Sequence, residues 1–220
     1  ETLNGRNSMI IAVDGPAASG KGLLSSLLAK KLDLERLDTG LLYRAVGQAL
    51  PESMDLKIDK KIAIKAAKNL KIIDLKNPDL KSENSGVTAS KVAVIPEVRQ
   101  YLLKFQRKFG NNPPLGKRGV VLDGRDIGTI VFPNADHKIF LTAEANIRAK
   151  RRFGELGEKG INVNYSRVLD DIISRDERDR ERDVSPLIAA EDALVIDSSD
   201  LEPNQVLDIA IKYIFREDKV

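Results

Sequence analysis

One run in the chain has residue types and spacing suited to holding phosphate. Gly15-Pro16-Ala17-Ala18-Ser19-Gly20-Lys21 fits G-x-x-x-x-G-K, placed between the apolar run Met9–Val13 and a stretch with Leu23, Leu24, Leu27 and Leu28 at helical spacing. Glycines let a loop wrap its backbone N–H groups around a phosphate where a Cβ would block approach. The helix that follows adds a positive end with unsatisfied donors, and the Lys21 ammonium can bridge the β- and γ-phosphates of ATP. The Ser/Thr that such loops usually carry after the lysine is missing; Gly22 and Leu23 stand there. A Mg²⁺ ion accompanying ATP must then be held by phosphate oxygens, waters and a carboxylate. Asp123, closing a second buried run, is the expected acid, acting through water. Asp14 is a second candidate, and it reads equally well as a strand-end group satisfying loop amides.

Other charged residues suit the acceptor of a transferred group. Asp38 and Thr39 open the segment DTGLLYR, with Thr39 read as the N-cap and Arg44 on the helix's first turns. Asp123-Gly124-Arg125-Asp126 sets a five-donor cation beside carboxylates at the C-terminal end of a strand, where open α/β sheets bind ligands. The densest feature is RDERDRER, residues 175–182. As a helix it puts Arg175, Arg178, Asp179 and Arg182 on one face and turns Asp176, Arg180 and Asp183 elsewhere. A charge run is ordinarily a solvated face. Arginines that repel at i,i+4, however, make better sense around an anion.

These residues need rigid elements to hold them. Met9–Val13, Gly119–Leu122, Lys138–Leu141 and Leu194–Ile196 read as strands buried on both faces. Helical periodicity runs over about 22–32, 40–50, 60–69, 87–108, 144–153, 165–182 and 203–216. Alternation of this kind implies an α/β fold: a parallel sheet with helices on both faces. Residues 70–86 read as a small strand pair or loop excursion, and 153–164, with three glycines, as a mobile flap. Residues 1–8 lack periodicity and are expected to lie outside the fold.

Composition sets limits. Without cysteine there is no disulfide or thiol metal site, which fits a reducing cytoplasm. No apolar run approaches the roughly 18 residues that span a bilayer, so no membrane partner is expected. The 36 Lys+Arg against 33 Asp+Glu give +3, and aromatic residues are 5%. Both argue against an ATP-dependent nucleic-acid-binding module, and the lack of an N-K-x-D motif argues against a GTP switch. His137 reads as a solvated residue near a strand end.

The order VDGPAASGKG, LDTGLLYR, SKVAVIPEVRQYLL, LDGRDIGTIVFP, EKGINVN, RDERDRERDVSPL, spread from Ile10 to about Tyr213, resembles the bacterial cytidylate kinases, a nucleoside monophosphate kinase branch of the P-loop proteins. The resemblance implies a five-stranded parallel sheet with a small monophosphate-binding insertion and a short lid. It divides a single kinase domain, 9–220, into a core (9–37, 115–150 and 166–220), a monophosphate-binding segment (38–114) and a lid (about 151–165). It further implies transfer of the γ-phosphoryl group of ATP to CMP or dCMP, by a cytoplasmic monomer using Mg²⁺. Arg44, Arg125 and Arg182 would clamp the CMP phosphate and, with Lys21, form the catalytic set; Asp38 and Thr39 would border that subsite. Ser90, Arg99 and Asp126 would read cytosine, and Asp179 with Arg175 would hold the sugar. Arg148 would stack on adenine and Arg152 would reach the ATP phosphates. Two departures stand out: Leu23 replaces the family's usual threonine, and 70–86 looks shorter than the three-stranded insertion typical of these enzymes. The acceptor is already an oxyanion, so no general base is expected, only positioning and charge neutralisation. Closure of the 153–164 flap would exclude water.

Overall fold

A computed structural model describes residues 8–51 and 59–216; the expectation for residues 1–8 therefore falls, apart from Ser8, outside the described residues. The chain divides into two compact units, Glu1–Leu37 with Pro113–Val220, and Asp38–Asn112.

The first unit is built on a five-stranded sheet in the order β2-β3-β1-β4-β5. Its strands are β1 (Met9–Asp14), β2 (Glu35–Asp38), β3 (Gly119–Gly124), β4 (His137–Thr142) and β5 (Leu194–Asp197). β1 pairs in parallel with β3 and β4, and β4 with β5. Register places Asp14 beside both Gly124 and Phe140, so the C-terminal ends of the three central strands lie level. Strand runs such as Ile11-Ala12-Val13 and Val120-Val121-Leu122 are apolar throughout because both faces are covered. Helices α1 (Lys21–Leu32) and α8 (Pro203–Arg216) contribute Leu24, Leu28, Leu32, Val206, Ala210 and Ile214 to a core with Ile11, Val13, Val121, Ile139 and Leu141. Helices α6 (Ala145–Glu158) and α7 (Tyr165–Glu181) join through a smaller cluster of Ala149, Leu156, Val168 and Ile172.

The second unit is helical among its described residues: α2 (Thr39–Gln48), α3 (Lys60–Asn69), α4 (Glu83–Val92) and α5 (Pro96–Asn111). Leu42, Val46, Ala63, Ala67, Leu80, Val92, Val98 and Leu102 are buried. Where α2 passes α4, a Cβ on Gly47 would stand 2.7 Å from Thr88 Oγ1, so the glycine permits the close approach.

Several expectations change. The helix expected over 87–108 is two helices. Pro96 lacks an N–H and biases Ile95 to an extended backbone (ψ 113°), which ends one helix and serves as the first residue of the next. Of the two readings for 70–86, the strand pair does not form: residues 72–76 and 78–81 are 3₁₀ turns within a connecting excursion. The expected flap is helix as far as Glu158, and Gly160 (φ 71°) ends it with Ile161 N–H bonded to Leu156 O at 2.9 Å. His137 is buried inside β4, its ring edge-on to Tyr213 at 5.8 Å, rather than solvated.

Candidate active site

The glycine-rich turn leaves β1 at Asp14 and enters α1 at Lys21. A Cβ on Gly15 would meet Leu141 O at 2.1 Å, so glycine alone lets the end of β4 close on the loop. Gly20, the residue before α1, takes φ 91°, a left-handed conformation that glycine adopts without strain. Lys21 lies over the loop with Nζ donating to Pro16 O at 2.9 Å.

Other loop carbonyls are held by side chains. Arg148 Nη1 donates to Ala17 O at 3.1 Å, and the Ser198 hydroxyl, with one proton to give, lies 3.3 Å from Ser19 O and 3.1 Å from Thr142 O. A trans peptide is planar, so the N–H groups of Ala18 and Gly20 point away from those donors. Ser19 keeps a buried hydroxyl with no hydrogen-bond partner among the described residues. Arg151 fixes Ser198 through Nη1 to Oγ (3.0 Å) and Nη2 to the carbonyl (2.5 Å).

Arg148 is not disposed as expected for a residue that stacks on adenine. Its side chain is 3% exposed, and it forks onto Asp176 (3.0 and 2.5 Å) while Nε donates to Ala143 O. Every edge of the guanidinium is occupied, so it braces the loop from behind. Arg152 is half-buried and donates to Glu155 at 3.1 Å.

Two carboxylates end the central strands. Asp14 accepts the N–H of Ile127 at 2.8 Å and of Gly128 at 2.7 Å, one on each oxygen, which matches the amide-satisfying reading. Burial pushes its pKa up to about 6, against those two hydrogen bonds. Asp123, also buried, accepts from Arg36 Nε at 2.9 Å. Among the described residues no group of three His, Cys, Asp or Glu side chains could hold a metal by itself.

At the C-terminal end of β3, Arg125 Nε donates to Asp179 Oδ2 at 2.8 Å, and Arg182 Nη1 lies 3.9 Å from Asp179 Oδ1. Burial alone would raise the Asp179 pKa, but the charge and hydrogen bond of Arg125, with the charges of Arg182 and Arg175, hold it below its ordinary value. Helix α7 stops at Glu181, so Arg182 is extended (ψ 135°) rather than helical, and its Nε donates to Ser185 O at 2.6 Å. Arg178, expected on the same face, is exposed and donates back to Ser174 O. Arg175 is half-buried; Asp126 is buried, and its carbonyl accepts from Ile130 and Val131.

In the helical unit, Asp38 rather than Thr39 caps α2: its Oδ1 accepts from Gly40 N at 3.0 Å, and Thr39 is the first helical residue. Arg44 Nη1 donates to the carbonyls of Leu80 and Ser82 at 2.8 and 3.0 Å. Arg99 is buried, donates to Ala93 O and lies 5.7 Å from the Tyr43 ring centroid. Ser90 bonds back to Gly86 and Val87 within α4.

A family profile described as Cytidylate kinase matches residues 11–216. The chain belongs to the cytidylate kinase family. It is 51% identical over 207 residues to "Cytidylate kinase" of Paramagnetospirillum magneticum, covering 94% of this chain and 98% of that one. It is 48% identical over 206 residues to "Cytidylate kinase" of Nitrobacter winogradskyi, covering 94% and 95%. Among solved structures, an uncharacterized protein from Eubacterium ventriosum matches with TM-score 0.56 at 16% identity (95% and 99% covered). A shikimate kinase from Bacteroides thetaiotaomicron matches with TM-score 0.50 at 12% identity (96% and 99% covered). At those identities the two structures bear on the fold alone, that of the P-loop kinases. Cytidylate kinase relatives spanning nearly the whole chain make it a kinase, and no helix among the described residues is long and apolar enough to cross a membrane.

The sequence reading missed Arg36, Arg151, Asp176 and Ser198. Ser198 directly follows the C-terminal end of β5, a position that could have marked it as ligand-side, whereas Arg36 is the second residue of β2 and had no such signal. Asp176 had no local signal; it looked like one more charge in a mixed run.

Proposed function

We propose that this protein transfers the γ-phosphoryl group of ATP to CMP or dCMP, giving ADP and CDP or dCDP, with Mg²⁺ accompanying ATP. The observation that carries the reading is the pairing of a braced phosphate loop with an arginine cluster, Arg125–Asp179–Arg182, at the C-terminal end of one sheet.

Gly15 to Gly20 would wrap the phosphates, Gly22 and Leu23 would border them, and Lys21 would leave Pro16 O to follow the charge that develops on the transferred group. Arg125, Arg182 and Arg44 would hold the acceptor phosphate, with Asp38 and Thr39 at its edge. Ser90, Arg99 and Asp126 would read the base, and Asp179 with Arg175 the sugar. Arg152 would approach the ATP phosphates, whereas Arg148 acts only through the loop it braces. The donor set suits Mg²⁺: Asp123 is a buried carboxylate at a strand end and would hold the ion through water, the phosphates supplying the remaining oxygens. That ion would neutralise charge between the β- and γ-phosphates. Asp14, with both oxygens on backbone amides, is the weaker partner. No side chain needs to remove a proton, because the acceptor oxygen is already ionised. A single chain carries every proposed group, so a monomer suffices, and a cytoplasmic setting would supply both nucleotides.

The test is a nucleotide-acceptor screen by coupled ADP release with ATP and Mg²⁺. CMP and dCMP are expected to be phosphorylated far faster than AMP, GMP or shikimate. AMP as best acceptor would overturn the specificity and leave the fold standing.

A further inference from the structure

Asp176 is a carboxylate where the packing pattern of α7 calls for an apolar side chain. It continues the stripe of Val168 and Ile172, at i, i+4 and i+8, and all three are buried. Its partner, Arg148, is buried on α6. Taking two charges out of water costs about what their attraction returns, so an apolar pair of similar volume would join α6 to α7 at least as well. Adhesion between the two helices therefore does not explain why this pair is ionic.

What an ionic pair adds lies in the phosphate loop. The Ala17 carbonyl, which Arg148 Nη1 holds at 3.1 Å, belongs to the same peptide as the N–H of Ala18. Ala18 has φ 56°, a left-handed backbone that residues with a Cβ rarely adopt. Turning that peptide plane over would return the φ of Ala18 to negative values and relieve the strain. It would also exchange the two ends of the peptide, swinging the carbonyl to the front of the loop and the N–H to the rear. Arg148 opposes the flip while Ala17 O stays on its guanidinium. The plane of that guanidinium is set by the two-oxygen fork on Asp176 and by Ala143 O on Nε.

We infer that Asp176 is a positioning residue for the donor nucleotide. Acting through Arg148, it keeps the Ala17–Ala18 peptide in its strained orientation, so that the Ala18 N–H is presented to the phosphates. The methyl group of Ala18 packs on the cluster shared by α6 and α7 and supports the same orientation. This rests on the loop being the ATP site.

The test compares two variants of the full chain by steady-state ADP release and by proton–nitrogen correlation spectra with and without ADP. R148M/D176L removes both charges and leaves neither buried alone; D176N keeps the shape of the site and one neutral acceptor. R148M/D176L is expected to lose about ten- to a hundredfold in kcat/KM for ATP, the worth of one hydrogen bond to a charged group, with the KM for CMP within about twofold of wild type. D176N is expected to lose about three- to tenfold. The Ala18 N–H resonance should move downfield when ADP is added to wild-type protein and stay near its unliganded position in R148M/D176L. A pair that only joined two helices would lower the thermal midpoint, followed by circular dichroism, and leave both readouts of the folded protein as they were. Unchanged ATP kinetics, an equal rise in the KM for CMP, D176N indistinguishable from wild type, or an Ala18 resonance that responds alike in both proteins would overturn the inference. D176N decides the matter if the double variant does not fold. Wild-type protein that bound no ATP would instead remove the assignment of the loop.

Discussion

In the loop Gly15–Lys21 the carbonyls of Ala17 and Ser19 are drawn back by Arg148 and Ser198, whereas at the end of β3 the side chains of Arg125 and Arg182 are gathered by one carboxylate, Asp179. The first region turns backbone N–H groups away from the bracing side chains and carries a single cation, Lys21, over the loop. The second presents the charged side chains themselves. The loop is therefore shaped by glycine sterics and braced by buried side chains. The arginine cluster depends on the ionisation of a single partner. Preorganisation is achieved in both, by packing in one and by ion pairing in the other.

The two regions also titrate in opposite senses. Asp14, under the loop, has its pKa raised to about 6 by burial. Between its ordinary value and about 6 the folded state binds more protons than the unfolded one, so this group lowers stability as pH rises through that window. Asp179 is held below its ordinary value despite its burial, chiefly by Arg125. Its contribution is present above the unfolded carboxylate pKa and is lost as pH falls through the folded one.

Four measurements would break or sharpen this contrast. Lys21→Ala should reduce kcat about 10³-fold or more, because the lysine acts on charge that develops in transfer. Steady-state ADP release checks this, and unchanged turnover would remove the loop from the chemistry. Arg125→Met should cut kcat/KM for CMP about 10²-fold while leaving the KM for ATP within about threefold. An equal effect on ATP would mean that the two regions are not separate in function. Asp14→Asn should flatten the fall in unfolding free energy expected of wild-type protein between pH 4 and 6, measured by urea titration at a series of pH values; an unchanged slope would assign it to another group. The smallest effect is expected for Leu23→Thr. Leu23 is exposed at the start of α1, and a hydroxyl there should lower the KM for ATP by only about two- to fivefold, the worth of one added hydrogen bond.

Much of the fold was legible because buried parallel strands are apolar on both faces. β1, β3 and β4 each show such a run; β5 is apolar too, but it lies at the sheet edge with Val195 exposed, so the expectation that it is buried on both faces does not hold. β2, with the sequence Glu-Arg-Leu-Asp, lies at the sheet edge and buries only Leu37, so no periodicity marks it. The long helix expected over 87–108 ignored Pro96, whose missing donor and steric effect on Ile95 divide it. The first half of the flap expected from three glycines, residues 153–158, belongs to α6. Gly154 and Gly157 face open space on that helix, and only Gly160 takes a conformation that a glycine favours.

The sequence alone determined the phosphate loop. Its spacing, its glycines and the strand and helix beside it are all encoded within about two dozen consecutive residues. Which charge meets which was decided only by tertiary structure. Asp176 and Asp179 stand three residues apart on α7, and helical spacing separates their faces without naming an ion-pair partner for either. Yet the first is buried on Arg148 behind the loop and the second holds Arg125. Arg36 and Asp123 are separated by 87 positions and meet because β2 lies next to β3. Ion pairs over such separations follow from strand order and register, which no local pattern of charges contains.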